Sequence, residues 1–169
     1  MFGDLDRSRT IAYSAAFIGL IALGSWISIP CIPVPFTLQT LFVLLAGSVM
    51  KRKAVIPVAA FVLLGALGLP VFHNGMSGPA ILLGPTGGYL AGFIIAALIV
   101  GLAYERKSKY LHGTGMILGT TSILLCGMGW LMVSLGMGLV PAFMAGILPF
   151  VIGDLVKTGA AYIIAQRLP

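Results

Sequence analysis

Charge is the scarcest property of this chain. Only Asp4, Asp6, Glu105 and Asp154 are acidic, and charged residues of both signs make up 8% of the sequence. With 59% of residues hydrophobic, too little polar surface exists to coat a globule in water, which excludes a soluble domain. Cysteine is equally sparse. Cys31 and Cys126 form neither a CxxC motif nor a metal-ligand spacing, so both read as packing residues. The sequence has no GxSxG, no HExxH, no paired catalytic carboxylates and no metal-spaced histidines, which removes the common hydrolase and metalloenzyme readings. A Walker A pattern is missing too, so any ATP-driven step needs phosphate-binding loops on another polypeptide.

What the sequence has in abundance is long apolar runs. Charge-free stretches extend from Thr10 to Met50, Ala54 to Ala103 and Leu111 to Gly153, each long enough to cross a bilayer twice at roughly 20 residues per crossing. The first run continues for tens of residues without a signal-type cleavage site, so no cleavage is expected. The net charge of +6 comes from basic residues placed between the runs: Arg7 and Arg9, Lys51 to Lys53, Arg106, Lys107 and Lys109, and Arg167. That is positive-inside patterning rather than a nucleic-acid footprint, and it puts every connector on the cytoplasmic face. The expectation is one all-α membrane domain over residues 1–169, with six transmembrane helices near 9–29, 36–50, 54–68, 86–104, 113–135 and 141–166 and both termini inside.

Proline and glycine shape those helices. Pro30, Pro33 and Pro35 forbid helix one from continuing, and Ser8 or Thr10 can cap its start. Helix two then has only about 15 residues, near 22 Å, which is short of a hydrocarbon core of about 30 Å. Helix three is similarly brief between Pro57 and the break at Gly68 to Pro70. Two short helices predict a hollow facing outward. The segment LPVFHNGMSGPAILLGP, residues 69–85, is too rich in Gly and Pro for a regular helix and too apolar for a solvated loop. Irregular backbone at membrane depth must pack on protein or line a cavity, so this loop points toward a site and has a lid's character.

Asp154 and Lys157 are the charged residues inside a predicted span, and an intramembrane ionisable group marks a functional site by default. Their i, i+3 spacing puts them on one helix face, either as a structural ion pair or as ligand contacts. A carboxylate accepts from ligand N–H groups and an ammonium binds a ligand carboxylate, so together they suit a polar heterocycle. Gln39 and Asn74 each offer an amide donor and an acceptor. His73 reads as a solvated loop histidine. Tyr89, Phe36, Phe72 and Trp130 offer flat apolar walls, or packing and interfacial anchors. Ala12 and Ala16 form a small-xxx-small pair suited to close approach by another helix.

Four segments, PVPFTLQT (33–40), LPVF (69–72), GPTGGYLAGF (84–93) and PFVIGDLVK (149–157), together resemble the BioY family of biotin transporters, in family order over nearly the whole chain. That resemblance implies a six-helix S-component fold in a bacterial plasma membrane, with capture of biotin from outside. It also implies a complex with a transmembrane coupling protein (the T component) and two cytoplasmic ATPases that use ATP, and no cofactor on this chain. Carried over by motif, the binding positions are Gln39, Asn74, Tyr89, Asp154 and Lys157, with Phe36, Phe72, Thr86 and Gly87 beside them. Asp154 and Asn74 would pair with the ureido group, aromatics would cover the rings, and Lys157 or loop amides would hold the valerate carboxylate. Ala12 and Ala16 resemble the alanine motif that meets the coupling protein. The alternative is a self-sufficient facilitator or proton-coupled carrier, in which Asp154 and His73 exchange protons.

Overall fold

A computed structural model describes residues 2–168. Eight α-helices follow one another among the described residues: α1 Phe2–Trp26, α2 Gln39–Met50, α3 Val55–Ala66, α4 Pro79–Leu83, α5 Gly87–Tyr104, α6 Lys109–Ser134, α7 Leu139–Gly146 and α8 Val151–Arg167. Turns of 3₁₀ helix occupy Lys51–Ala54 and His73–Gly75. One antiparallel ribbon, β1 (Ser28–Ile29) with β2 (Phe36–Thr37), departs from the all-α expectation. It follows from the same prolines that end helix one. Pro30 biases Ile29 toward extended backbone, which stops α1 at Trp26 instead of residue 29 and delivers the chain as a strand.

Helix boundaries differ from the sequence reading at two informative places. α1 begins at Phe2 rather than near residue 9, and the Thr10 hydroxyl donates to the Asp6 carbonyl at 2.8 Å, a mid-helix contact and not a cap. The sixth expected helix is two helices, α7 and α8, bent by 50°. Pro149 lies in the break and removes a backbone donor there. α2 and α3 hold 12 residues each, about 18 Å, shorter still than expected. By length and hydropathy α5 and α6 can cross a membrane, and α7 with α8 form a third crossing if the bent pair is one span.

α2 is buried along nearly its whole length, from Gln39 to Met50, and packs against α1, α5 and α8. A helix apolar all round belongs inside a bundle, and that is where α2 lies. α5 and α6 form the most extensively packed pair. A Cβ at Gly92 would stand 2.8 Å from the Ile123 Cα, so only glycine allows these two backbones their approach. Large apolar side chains such as Leu98, Leu118, Leu125, Ile152 and Val156 point outward, the arrangement expected where hydrocarbon is the solvent.

The basic connectors gather at one end, as the charge pattern requires. Arg52 grips Glu105 through two nitrogens at 2.6 and 2.8 Å, joining the α2–α3 turn to the end of α5, and Lys53 reaches Thr10 at 3.4 Å. Lys51 and Lys109 line one cleft with Gln166 near the end of α8. Hydrogen bonding to Arg52 holds the Glu105 carboxyl below the usual carboxylate range. Of the two cysteines, Cys126 is half-buried, but Cys31 is exposed in the proline-rich turn and does not pack.

Candidate ligand-binding site

At the end opposite the basic connectors' chain segments, the irregular pieces meet. The α1–α2 connector, the 69–85 loop, the start of α5 and the α7–α8 break enclose a cavity of about 50 Å³ with α6. It is lined by Val34, Pro35, Thr37, Gln39, Thr40, Phe72, His73, Thr86, Tyr89, Leu90, Ile123, Leu124, Phe150, Asp154 and Lys157. The loop is held down at several points. The Ser25 hydroxyl donates to Val71 O at 2.6 Å, Trp26 Nε1 to Pro70 O at 3.2 Å, and Trp130 Nε1 to Gly84 O at 2.8 Å. Phe72 is buried edge-on against Phe61 with ring centroids 5.6 Å apart. Of the two roles open to Trp130 from the sequence, wall or anchor, it takes the second and holds the loop's end.

Asp154 and Lys157 form a buried ion pair on the wall of this cavity, their side chains 5% and 7% exposed. Lys157 Nζ also donates to Thr37 O at 2.9 Å and lies 4.0 Å over the Phe36 ring. The break before α8 explains how a carboxylate is tolerated here. It starts a new helix at Val151, so Asp154 falls in the first turn, where the helix dipole favours negative charge. Apart from the ion pair, Asp154 Oδ1 has no hydrogen-bond partner among the described residues. Burial holds the His73 ring below its ordinary histidine value.

Gln39, Tyr89, Asp154, Lys157, Phe72 and Thr86 are brought together as cavity lining. Three expected residues are not. Asn74 is exposed, with its backbone at φ 55°, and its side-chain oxygen accepts from the Ser28 hydroxyl at 3.0 Å. Phe36 supports Lys157 from behind and stacks on Phe150 at 6.2 Å. Gly87 is a packing position, since a Cβ there would strike the Leu82 carbonyl. His73 was read as solvated but is half-buried and lines the cavity. Sequence reasoning passed over Thr37, Thr40 and Phe150. The first two stand inside PVPFTLQT beside Gln39, and Phe150 follows the Pro149 that marks the break, so both signals were present.

Tyr89 donates to Gly146 O at 2.7 Å, tying α5 to the end of α7, and its ring meets Phe150 at 6.0 Å. Tyr89→Phe keeps the ring but strands that carbonyl, and is expected to cost about 1–2 kcal/mol, read as a lowered unfolding midpoint in detergent.

Fold and site together define a helical membrane protein built around a small cavity that carries a buried ion pair. The BioY family model matches residues 3–169, and the chain belongs to the BioY family. It is 43% identical to the biotin transporter BioY of Thermotoga maritima, covering 95% of each chain. It is 40% identical to the probable biotin transporter BioY of Pyrococcus horikoshii, covering 96% of this chain and 97% of that one. A crystal structure of the S-component for biotin from an ECF-type ABC transporter superposes with a TM-score of 0.85 at 27% identity, covering 96% and 91% of the two chains.

Proposed function

We propose that this chain captures biotin in the cavity beside Asp154 and Lys157 and serves as the substrate-binding component of an ATP-driven importer. The observation that carries this reading is the combination of a buried carboxylate–ammonium pair with the aromatic surfaces of Tyr89, Phe72 and Phe150 around one cavity. A ureido ring offers two N–H donors, and the Asp154 carboxylate is an acceptor with spare capacity. Lys157 has three N–H donors, of which Thr37 O and Asp154 engage two, so one remains for an oxygen of the ligand. The names of the Thermotoga and Pyrococcus relatives and of the solved S-component support biotin as that ligand.

The present cavity of about 50 Å³ is far below the roughly 300 Å³ or more of ordinary small-molecule pockets. Biotin therefore needs a wider cavity, and the 69–85 loop, acting as a lid, moves outward to admit it and then closes. Asn74, one residue beyond His73, joins the ligand only through that rearrangement. In the membrane, six crossings place the basic connectors and both termini in the cytoplasm and the loop outside. The coupling protein docks on the exposed face of α1 at Ala12 and Ala16, where Gly19 continues the strip with open space beside it. ATP hydrolysis belongs to two further chains.

Calorimetric titration of the detergent-purified protein with biotin tests the reading. Saturable binding at one site is expected, and a folded protein that neither releases heat nor retains biotin would overturn it. In liposomes the chain alone is expected to bind without uptake, and to import once the coupling protein and ATPases are added. Proton-gradient-dependent uptake by the chain alone would replace the importer with a carrier.

A further inference from the structure

Thr37 ties together two parts of the cavity wall that are far apart in sequence. Its hydroxyl donates to Gln39 Oε1 at 3.1 Å and accepts from the Gln39 backbone N–H at 3.4 Å, while its carbonyl accepts from Lys157 Nζ at 2.9 Å. Thr37 is itself buried and lines the cavity with both partners. Its backbone is fixed by the ribbon, where it pairs with Ser28. A hydroxyl has one proton to give. With the Gln39 backbone N–H directed at its oxygen, that proton goes to an acceptor, and the acceptor within reach is the carboxamide oxygen. The Gln39 carboxamide is thereby oriented with its nitrogen turned from Thr37. Nε2 is buried and has no hydrogen-bond partner among the described residues. A buried N–H₂ group without an acceptor is unfavourable, and such a group on a cavity wall is ready to be satisfied by a bound molecule.

We propose that Thr37 is a positioning residue for ligand recognition: it sets the Gln39 carboxamide so that Nε2 donates to an acceptor oxygen of the bound molecule, and its carbonyl anchors the Lys157 ammonium. This rests on biotin being the ligand. Biotin offers two such acceptors, the ureido oxygen and the carboxylate, and Nε2 serves one of them. Thr37→Val removes the hydroxyl at nearly constant shape but leaves the carbonyl to Lys157. The carboxamide is then free to rotate, and its donor is no longer held in place.

The test is biotin titration of the purified full-length chain carrying Thr37→Val or Thr37→Ser, each also made in a Gln39→Ala background, with thermal unfolding of the ligand-free proteins alongside. Thr37→Val is expected to weaken binding about tenfold, Thr37→Ser by no more than about threefold, and Thr37→Val in the Gln39→Ala background by less than about twofold. A merely structural residue would give the same loss in both backgrounds, together with a lowered unfolding midpoint, and that result overturns the proposal. If Thr37→Val does not fold, Gln39→Met carries the test: binding as tight as the native chain's overturns it, and a loss of about tenfold with Thr37→Ser still binding supports it. A native chain that binds biotin while Thr37→Val binds it equally defeats this inference alone. A folded native chain that binds no biotin defeats the biotin reading and this inference with it.

Discussion

Asp154→Asn is expected to weaken biotin binding by about a hundredfold or more while leaving a folded but less stable protein. Two effects combine. The carboxylate is the acceptor that the proposal assigns to the ureido N–H groups, and losing a pair of charge-assisted hydrogen bonds amounts to about 3 kcal/mol or more, or two decades in affinity. The same change leaves Lys157 buried opposite a neutral amide. Breaking a buried pair by removing one partner costs about 3–5 kcal/mol as long as the other stays charged. The two effects separate in the double variant Asp154→Asn with Lys157→Met. Without a stranded ammonium its unfolding midpoint should recover toward the native value, because a buried pair replaced by neutral groups of similar volume is often tolerated, while binding stays lost. Titration and thermal unfolding on the three proteins decide it. If the single variant is folded and binds within about threefold of the native chain, Asp154 is a structural partner of Lys157 and not a ligand contact.

Much of this site was legible because membranes make polarity expensive. In a sequence with four acidic residues, a lone Asp followed three positions later by Lys inside an apolar run admits few explanations, and the structure pairs them on the cavity wall. Gln39 was found for the same reason. The short second and third helices followed from prolines, glycines and the basic cluster between them, and the irregular 69–85 segment reaches the cavity through Phe72 and His73. What escaped depends on distances along the chain that no local pattern reports. That Thr37 O would accept from a lysine 120 positions away is a fact about how the ribbon docks on α8, and a threonine in an apolar strand carries no mark of it. Asn74 stands outside the cavity for a related reason: two residues beyond LPVF, a left-handed residue in a 3₁₀ turn has its side-chain oxygen bonded to the Ser28 hydroxyl. The break before α8 was signalled by Pro149, yet an apolar run with one proline also reads as a continuous kinked span. What decides between them is the packing of Phe150 against Phe36 and Tyr89.

Gly127→Val is expected to abolish biotin binding although Gly127 does not line the cavity. Gly127 is buried on α6, and a Cβ built there would clash directly with Cε1 and Cζ of the Tyr89 ring. The ring has little room to withdraw, because its hydroxyl is bonded to Gly146 O at 2.7 Å and its far side meets Phe150. Two responses are open. Either α5 and α6 separate, or Tyr89 swings into the cavity of about 50 Å³. Overpacking of this kind costs about 1–3 kcal/mol in well-packed cores, and both responses remove the wall against which the ligand rings would lie. Gly129, two residues further along the same helix, supplies the control, since nothing stands within 4 Å of a Cβ placed there. Gly129→Ala should therefore bind biotin normally and be unchanged or slightly more stable, as expected when alanine replaces glycine inside a helix. A second comparison separates displacement of Tyr89 from general damage to α6: Tyr89→Ala in the Gly127→Val background vacates the contested volume and should restore part of the lost stability without restoring affinity. Equal loss of binding in the Gly127 and Gly129 variants would mean that α6 tolerates no added side chain along this stretch, and Tyr89 would lose its place as the wall of the site.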